Sequence, residues 1–383
     1  MSMVEYSEYR LGSLCNRFSS GKGIPADLIN ETGKYPVIGG NGLRGYTDTY
    51  NFDGECAVIG RQGAYCGNVQ FFSGKGYMTE HAVVTQPNSA NNAKYLTYKL
   101  NGLSLGRFSG QAAQPGLSVT KLARLRIEMP PKWYQDKVAG ILYAYDNLIE
   151  VNNKRIKVLE QMAENLYKEW FVRFRFPGHE KADFENGIPK GWRRGRISEF
   201  YTTSSGGTPS RELDEYYVDG TIPWIKTGEL QDCLLIDTEE RITEVAVKKS
   251  SAKFFPKDSV LMAMYGVNIG MLAYSTMDAT CNQACCVFRD KGNISTKHYL
   301  FQCLKSIRDY LLLISFGAAQ QNLSQDLIKR VRIVMPDEET VIRFEQKIEP
   351  LYNEIKHLLK ANACLIRQRD LLLPRLMSGK LEV

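Results

Sequence analysis

The chain has 383 residues, of which 43 % are hydrophobic and 24 % charged, with a formal net charge of +7. That composition excludes a disordered tail protein and a small disulfide-stapled scaffold, and it permits a polyanionic partner without demanding one. No apolar run approaches the roughly 20 residues that cross a bilayer, and Met1–Gly12 has neither a cationic n-region nor an apolar h-region, so a cytoplasmic protein with no membrane partner is expected.

Residues 1–130 alternate short β-rich runs, such as Cys56-Ala57-Val58-Ile59, with turns rich in Gly, Asn and Ser. The turns carry Lys22, Arg44, Arg61, Gln62, Tyr65, Lys75 and Tyr77, a mixture suited to nucleic acid: Arg reads guanine, Gln reads adenine and Lys holds phosphate. After Pro130-Pro131 a helical pattern begins. Leu142, Tyr145, Ile149, Asn152, Ile156, Leu159, Ala163, Leu166 and Trp170 follow alternating spacings of three and four, the seam of a coiled coil. This region spans 131–176, and 177–188, rich in Gly and Pro, is read as a linker.

The chain then repeats itself. Residues 189–336 form a second unit with β-rich runs such as Ser259–Ala263 and a second set of loop residues, Arg211, Lys226, Tyr265, Asn268, Asn282 and Gln283. Ala112-Ala113-Gln114 and Leu117-Ser118 match Ala318-Ala319-Gln320 and Leu323-Ser324 at an offset of 206, and ten of the nineteen positions from Ala112 to Pro130 are identical. Pro115-Gly116 in the first copy stands where the second has Gln321-Asn322. More loosely, Ile59-Gly60-Arg61-Gln62-Gly63 resembles Met262-Ala263-Met264-Tyr265-Gly266. Residues 337–383 carry a second seam through Ile348, Leu351, Ile355, Leu358, Asn362, Leu365, Arg369 and Leu372, and Pro350 predicts a kink or a fresh helix start.

Two matching seams favour pairing with each other, antiparallel if a pseudo-twofold axis relates the halves. Placing Asn152 opposite Asn362 gives each buried amide a partner; it also sets Leu142 against Leu372, Tyr145 against Arg369, Ile149 against Leu365, Ile156 against Leu358, Leu159 against Ile355, Ala163 against Leu351 and Leu166 against Ile348. The expected fold is α+β: two pseudo-symmetric α/β domains separated by two long helices forming an antiparallel coiled coil.

Catalytic signatures are missing. The sequence holds no GxxxxGK[ST], HExxH or helix-linked GxGxxG, and its four histidines, His81, His179, His298 and His357, have no counterparts across the repeat. Nine cysteines without a CxxC pair point to reduced thiols, and the close trio Cys281, Cys285 and Cys286 is not read as a metal site. The sequence favours a binder with no metal or cofactor of its own.

Several segments together resemble the specificity subunit of type I restriction-modification systems. They are Pro130-Pro131, Asn153-Lys154-Arg155-Ile156, Leu159–Ala163, Leu166–Phe171, Phe174–Gly178, Gly187–Trp192, Ile222-Pro223-Trp224 and Arg369–Gly379. The resemblance implies two target recognition domains, each reading half of a bipartite, asymmetric DNA site, with the two helical regions setting the spacer. It implies docking of two methylation subunits that bring S-adenosylmethionine and adenine-N6 methyltransferase activity, and of restriction (motor-nuclease) subunits, on a chain that is itself non-catalytic. By the same resemblance, Gly110, Gln114 and Leu117 with Gly317, Gln320 and Leu323 form the segment that follows the variable loops, and Gln114, Gln320 and Gln321 join the candidate DNA contacts. The alternatives are a coiled-coil adaptor that binds no DNA, and an enzyme with a degenerate site.

Overall fold

In a computed structural model, residues 4–63, 65–110, 116–292, 294–315, 322–381 and 383 are described. The chain divides into two units: Met1–Ile149 with Cys364–Val383, and Glu150–Ala363.

In the first unit, strand alternation puts Ala57 and Ile59 on one face of Phe52–Gly60 and Cys56 and Val58 on the other, and all four are fully buried. The sheet is therefore covered on both sides. One face packs against Tyr95, Leu96 and Leu100 of the helix Ala93–Gly102; the other meets Ile38, Phe52 and Met78. Six strands lie in the order Cys15–Ser20, Ala82–Pro87, Phe52–Gly60, Val69–Met78, Tyr35–Gly39, Gly42–Thr47. The pairing of Tyr35–Gly39 with Val69–Met78 is parallel.

The second unit repeats this plan. Its five-stranded sheet runs Tyr201–Ser205, Cys285–Asp290, Val260–Ala263, Leu272–Ser275, Cys233–Leu235, with the fourth and fifth strands parallel as in the first sheet, whose sixth strand Gly42–Thr47 is antiparallel to its neighbour and has no equivalent here among the described residues. A three-stranded sheet, Glu240–Ile242, Ile222–Ile225 and Thr280–Cys281, is added to it. In both units an antiparallel ribbon joins the start to the end: Ser7–Arg10 pairs with Arg126–Met129, and Arg193–Arg196 with Arg332–Met335. Ser118 and Ser324 cap the short helices before the second strand of each ribbon, accepting hydrogen bonds from Lys121 N–H and Leu327 N–H.

The long helices span Lys132–Tyr167 and Glu338–Met377. Within the second unit Asn152 Nδ2 donates to Asn362 Oδ1 at 2.8 Å, and Asn362 Nδ2 donates onward to Asn153 Oδ1 at 2.9 Å. Ile156, Leu159, Ala163 and Leu166 pack in one cluster with Leu358, Ile355, Leu351 and Ile348, as the antiparallel register requires. In the first unit Leu142 and Leu372 share a cluster, and Ile149 and Leu365 are half-buried. One expected pair differs: Arg369 turns to Asp146, at 2.6 Å, instead of lying on Tyr145, because a guanidinium gains a charge partner one position away.

Pro350 does not break its helix. It stands on an exposed face together with Gln346, whose carbonyl loses its N–H partner where solvent can replace it. The segment 177–188, expected as a linker, is tied down. It carries the hairpin Phe184–Glu185 with Ile188–Pro189, and its flanks Phe176 and Trp192 are buried with ring centroids 5.1 Å apart. Phe171 joins this cluster, 4.8 Å from both Tyr299 and Phe344, and Trp192 Nε1 donates to Asp337 at 2.8 Å. Phe171, Phe176 and Trp192 are thus core, each contributing about 1.5–3 kcal/mol through burial.

Candidate nucleic-acid interface

Each unit holds one loop of the same construction where its central strand ends. In the first unit Gly60 N–H donates to Asn68 O and Gly67 N–H to Gly60 O, both at 2.8 Å; in the second, Ala263 N–H donates to Met271 O at 2.9 Å and Gly270 N–H to Ala263 O at 2.8 Å. Inner bonds repeat as well: Cys66 N–H to Gly63 O and Asn68 N–H to Tyr65 O correspond to Ile269 N–H to Gly266 O and Met271 N–H to Asn268 O. Gly63 and Gly266 sit at φ +82° and +87°, which a side chain would strain. The loops are pinned from outside by the same two neighbours. Arg61 N–H donates to His81 O and Leu117 N–H to Arg61 O, both at 2.9 Å, while Met264 N–H donates to Ala284 O and Leu323 N–H to Met264 O, both at 2.8 Å. The halves therefore align here at an offset of 203, with Gln62 matching Tyr265 and Tyr65 matching Asn268.

Around the first loop the fold gathers several of the expected residues. Gly21 N–H donates to Ala82 O, Lys22 N–H donates to Met78 O, and Ala82 is the ladder partner of Gly60, which brings Lys22 alongside. A Cβ on Gly40 would stand 3.0 Å from His81 O and 3.4 Å from Gly60 Cα, so the hairpin bearing exposed Arg44 also closes on this point. Gln62 and Tyr65 are exposed, whereas Arg61 Nε donates to Leu117 O at 3.3 Å. Tyr77 donates its hydroxyl proton to Gly23 O at 3.0 Å. Lys75 lies apart. It pairs with Asp53 at 3.8 Å and over the Tyr50 ring, at the end of the ladder remote from Ile59 and Val69.

In the second unit most of the expected contacts are spent internally. Asn268 Nδ2 donates to Thr227 O at 2.9 Å, with Gly228 O and Leu230 O at 3.4 Å, binding the loop to the neighbouring turn. Asn282 Oδ1 accepts from Ala284 N–H at 3.1 Å and shapes its own turn. Arg211 stacks over Tyr217 and Trp224 and pairs with Glu240 at 2.7 Å, while Lys226 reaches Glu240 at 2.8 Å and Glu239 at 3.0 Å. Hydrogen bonds from Arg211 and Lys226 hold the Glu240 carboxyl below the usual carboxylate range. Tyr265 and Gln283 are exposed, as is Arg211 despite its partners, with Gln283 Oε1 accepting from Thr208 Oγ1 and burial raising the Tyr265 hydroxyl. Gln114, Gln320 and Gln321 lie outside the described residues.

Residue reasoning missed Val267, which stands fully exposed between Gly266 and Asn268. Extending the alignment of Ile59–Gly63 with Met262–Gly266 by one position would have found it. Among the described residues no group of three or more His, Cys, Asp or Glu side chains could hold a metal ion, and no helix is long and apolar enough to cross a membrane.

The profile of the type I restriction modification DNA specificity domain matches residues 3–161 and again 189–360. The chain is similar to the type I restriction enzyme MjaIX specificity subunit of Methanocaldococcus jannaschii, 27 % identical over 316 residues covering 78 % of this chain and 71 % of that protein. It is also similar to the EcoprrI specificity subunit of Escherichia coli, 37 % identical over 166 residues, or 42 % of this chain and 41 % of that one. The fold resembles the crystal structure of a type I restriction-modification S subunit from M. genitalium, with a TM-score of 0.71, 16 % identity and coverage of 98 % and 97 % of the two chains. Two matched copies of one domain, two sheets that share the order of their first five strands and one loop built twice have a single explanation: the chain belongs to the type I restriction modification DNA specificity domain family.

Proposed function

We propose that this protein is the DNA sequence-specificity subunit of a type I restriction-modification complex and that its two units read the two halves of a bipartite, asymmetric site. The observation that carries this reading is the loop built twice on the same backbone hydrogen bonds but furnished differently, with Arg61, Gln62 and Tyr65 in one copy and Met264, Tyr265 and Asn268 in the other. One frame bearing two side-chain sets suits two different half-sequences on a duplex.

The partners are methylation and restriction subunits. The central helix supports their docking, because within the second unit Val151, Val158 and Met162, at spacings of seven and four that keep them on one helix face, are exposed beside the buried seam. S-adenosylmethionine and the adenine-N6 transfer belong to the methylation subunit, and this chain is non-catalytic by itself. Replacing residues 1–130 by a recognition domain of different specificity tests the proposal. Mapping of methylated adenines is expected to show one half of the target changed and the other retained; a change in both halves would overturn the two-reader assignment, as would S-adenosylmethionine turnover by the purified chain alone overturn its non-catalytic role.

A further inference from the structure

The pinned loop of the second unit leaves one side chain without a task inside the protein. Val267 is exposed to 103 % of its reference area, the highest of the exposed large hydrophobic residues among the described residues. A lone apolar side chain on a surface is ordinary. Here, however, both neighbours are fixed: Gly266 turns at φ +87°, and the Asn268 amide is held by the carbonyl of Thr227. Two residues further on, Gly270 N–H closes the loop on Ala263 O. The loop directs the polar Asn268 amide inward and holds the apolar valine outward, the reverse of what solvation alone favours.

We propose that Val267 is a specificity-determining residue that reads the 5-methyl group of a thymine in the second half-site. The inference rests on the proposed function, which sets this loop against duplex DNA. Valine has no donor or acceptor with which to read a base edge, and the apolar group that base edges offer in the major groove is the thymine methyl. Its short, branched side chain does not reach between base pairs as the longer Leu, Met or Phe wedges do. At the same position of the first loop the sequence has Ala64, also small and apolar, although that residue lies outside the described ones.

The test uses the full chain assembled with its methylation subunits on its mapped target. Each thymine of the second half-site is replaced in turn by uracil, which lacks only the methyl group. The intact complex is expected to lose about fourfold in affinity at one position, the effect of one buried methyl-sized group. Val267→Ala should lose that uracil sensitivity at the same position alone while still discriminating every other base change, and Val267→Thr, of nearly the same shape with a hydroxyl for one methyl, should fall between them. Tolerance of uracil at every position, an unchanged uracil profile in Val267→Ala, or a second half-site with no thymine on either strand would overturn the proposal. If sequence discrimination in that half-site persists, only the role of Val267 fails; if no base change there alters binding by the intact complex, the reading function of the unit fails with it.

Discussion

Asn268 illustrates the difference between a residue that touches a ligand and one that holds the loop. Its amide nitrogen faces the carbonyls of Thr227, Gly228 and Leu230. Asn268→Ala should therefore loosen the loop, weakening recognition across the second half-site, and Asn268→Asp should be worse because it sets a carboxylate against three carbonyl oxygens. Tyr265→Ala should instead cost discrimination at a single position, and competition binding on single-base variants of the half-site separates the two patterns. The Asn, Gln and Tyr content of these loops was legible in the sequence, but which side chains turn inward was not, since that depends on a turn some forty residues away. The thiols give a second residue-scale prediction. Burial pushes Cys56 and Cys286 up to about 12 from an ordinary value of 9.0, so their contribution to stability is complete below pH 9 and is lost as the pH rises from 9 towards 12. A melting temperature that falls over this window is expected, and at pH 8 exposed Cys364 should be alkylated well before either buried thiol, as peptide mass spectrometry can read.

At the scale of elements, the helices were the most legible part of the chain: a three-four apolar period also suits a helix packed on its own domain, but two matching seams of about four heptads favour pairing with each other. The buried asparagines set their register. Asn362→Leu would leave the Asn152 amide in the seam without its acceptor, at a cost of about 1–3 kcal/mol, whereas replacing both asparagines by leucine should recover most of that loss and admit shifted pairings. Denaturant melts of the single and double variants check this. The sequence was less informative at Phe176–Trp192, where glycines and prolines suggest a loose connection. The packing that makes it part of the core comes from Tyr299 and Phe344, far away in the chain. The exposed stripe on the central helix carries its own expectation: Val158→Asp and Met162→Asp should each change the unfolding free energy by no more than about 0.5 kcal/mol, as for other surface changes, yet together abolish co-purification with the methylation subunit.

For the whole molecule, duplication was the signal that organised everything else, and it was visible as ten identities in nineteen positions. It was legible because those residues have backbone duties in both copies, such as the Leu117 and Leu323 amides that pin the loops. The strand order of the sheets was not legible, since short runs between variable loops give no pairing information. If the helices set the distance between half-sites, inserting about four residues, one turn, between residues 130 and 132 should lengthen the non-specific spacer by on the order of one or two base pairs without altering either half-sequence. Methylome mapping of the insertion variant decides it, and an unchanged spacer in a stable complex would reject the helices as the ruler.

The first unit is closed by the segment Cys364–Val383. Leu376 is buried beside Leu142, Tyr134 donates its hydroxyl proton to Leu376 O at 2.9 Å, and Tyr6 donates to Met377 O at 3.1 Å. During synthesis those partners do not yet exist when residue 149 leaves the ribosome. All of Glu150–Ala363 must be translated first, which at roughly 5–20 residues per second leaves the apolar surface around Tyr134 and Leu142 uncovered for roughly 10–40 s. The half made first is thus finished last, and a nascent chain stalled before residue 364 would display an unfinished first unit to chaperones and proteases while its second unit was already largely assembled.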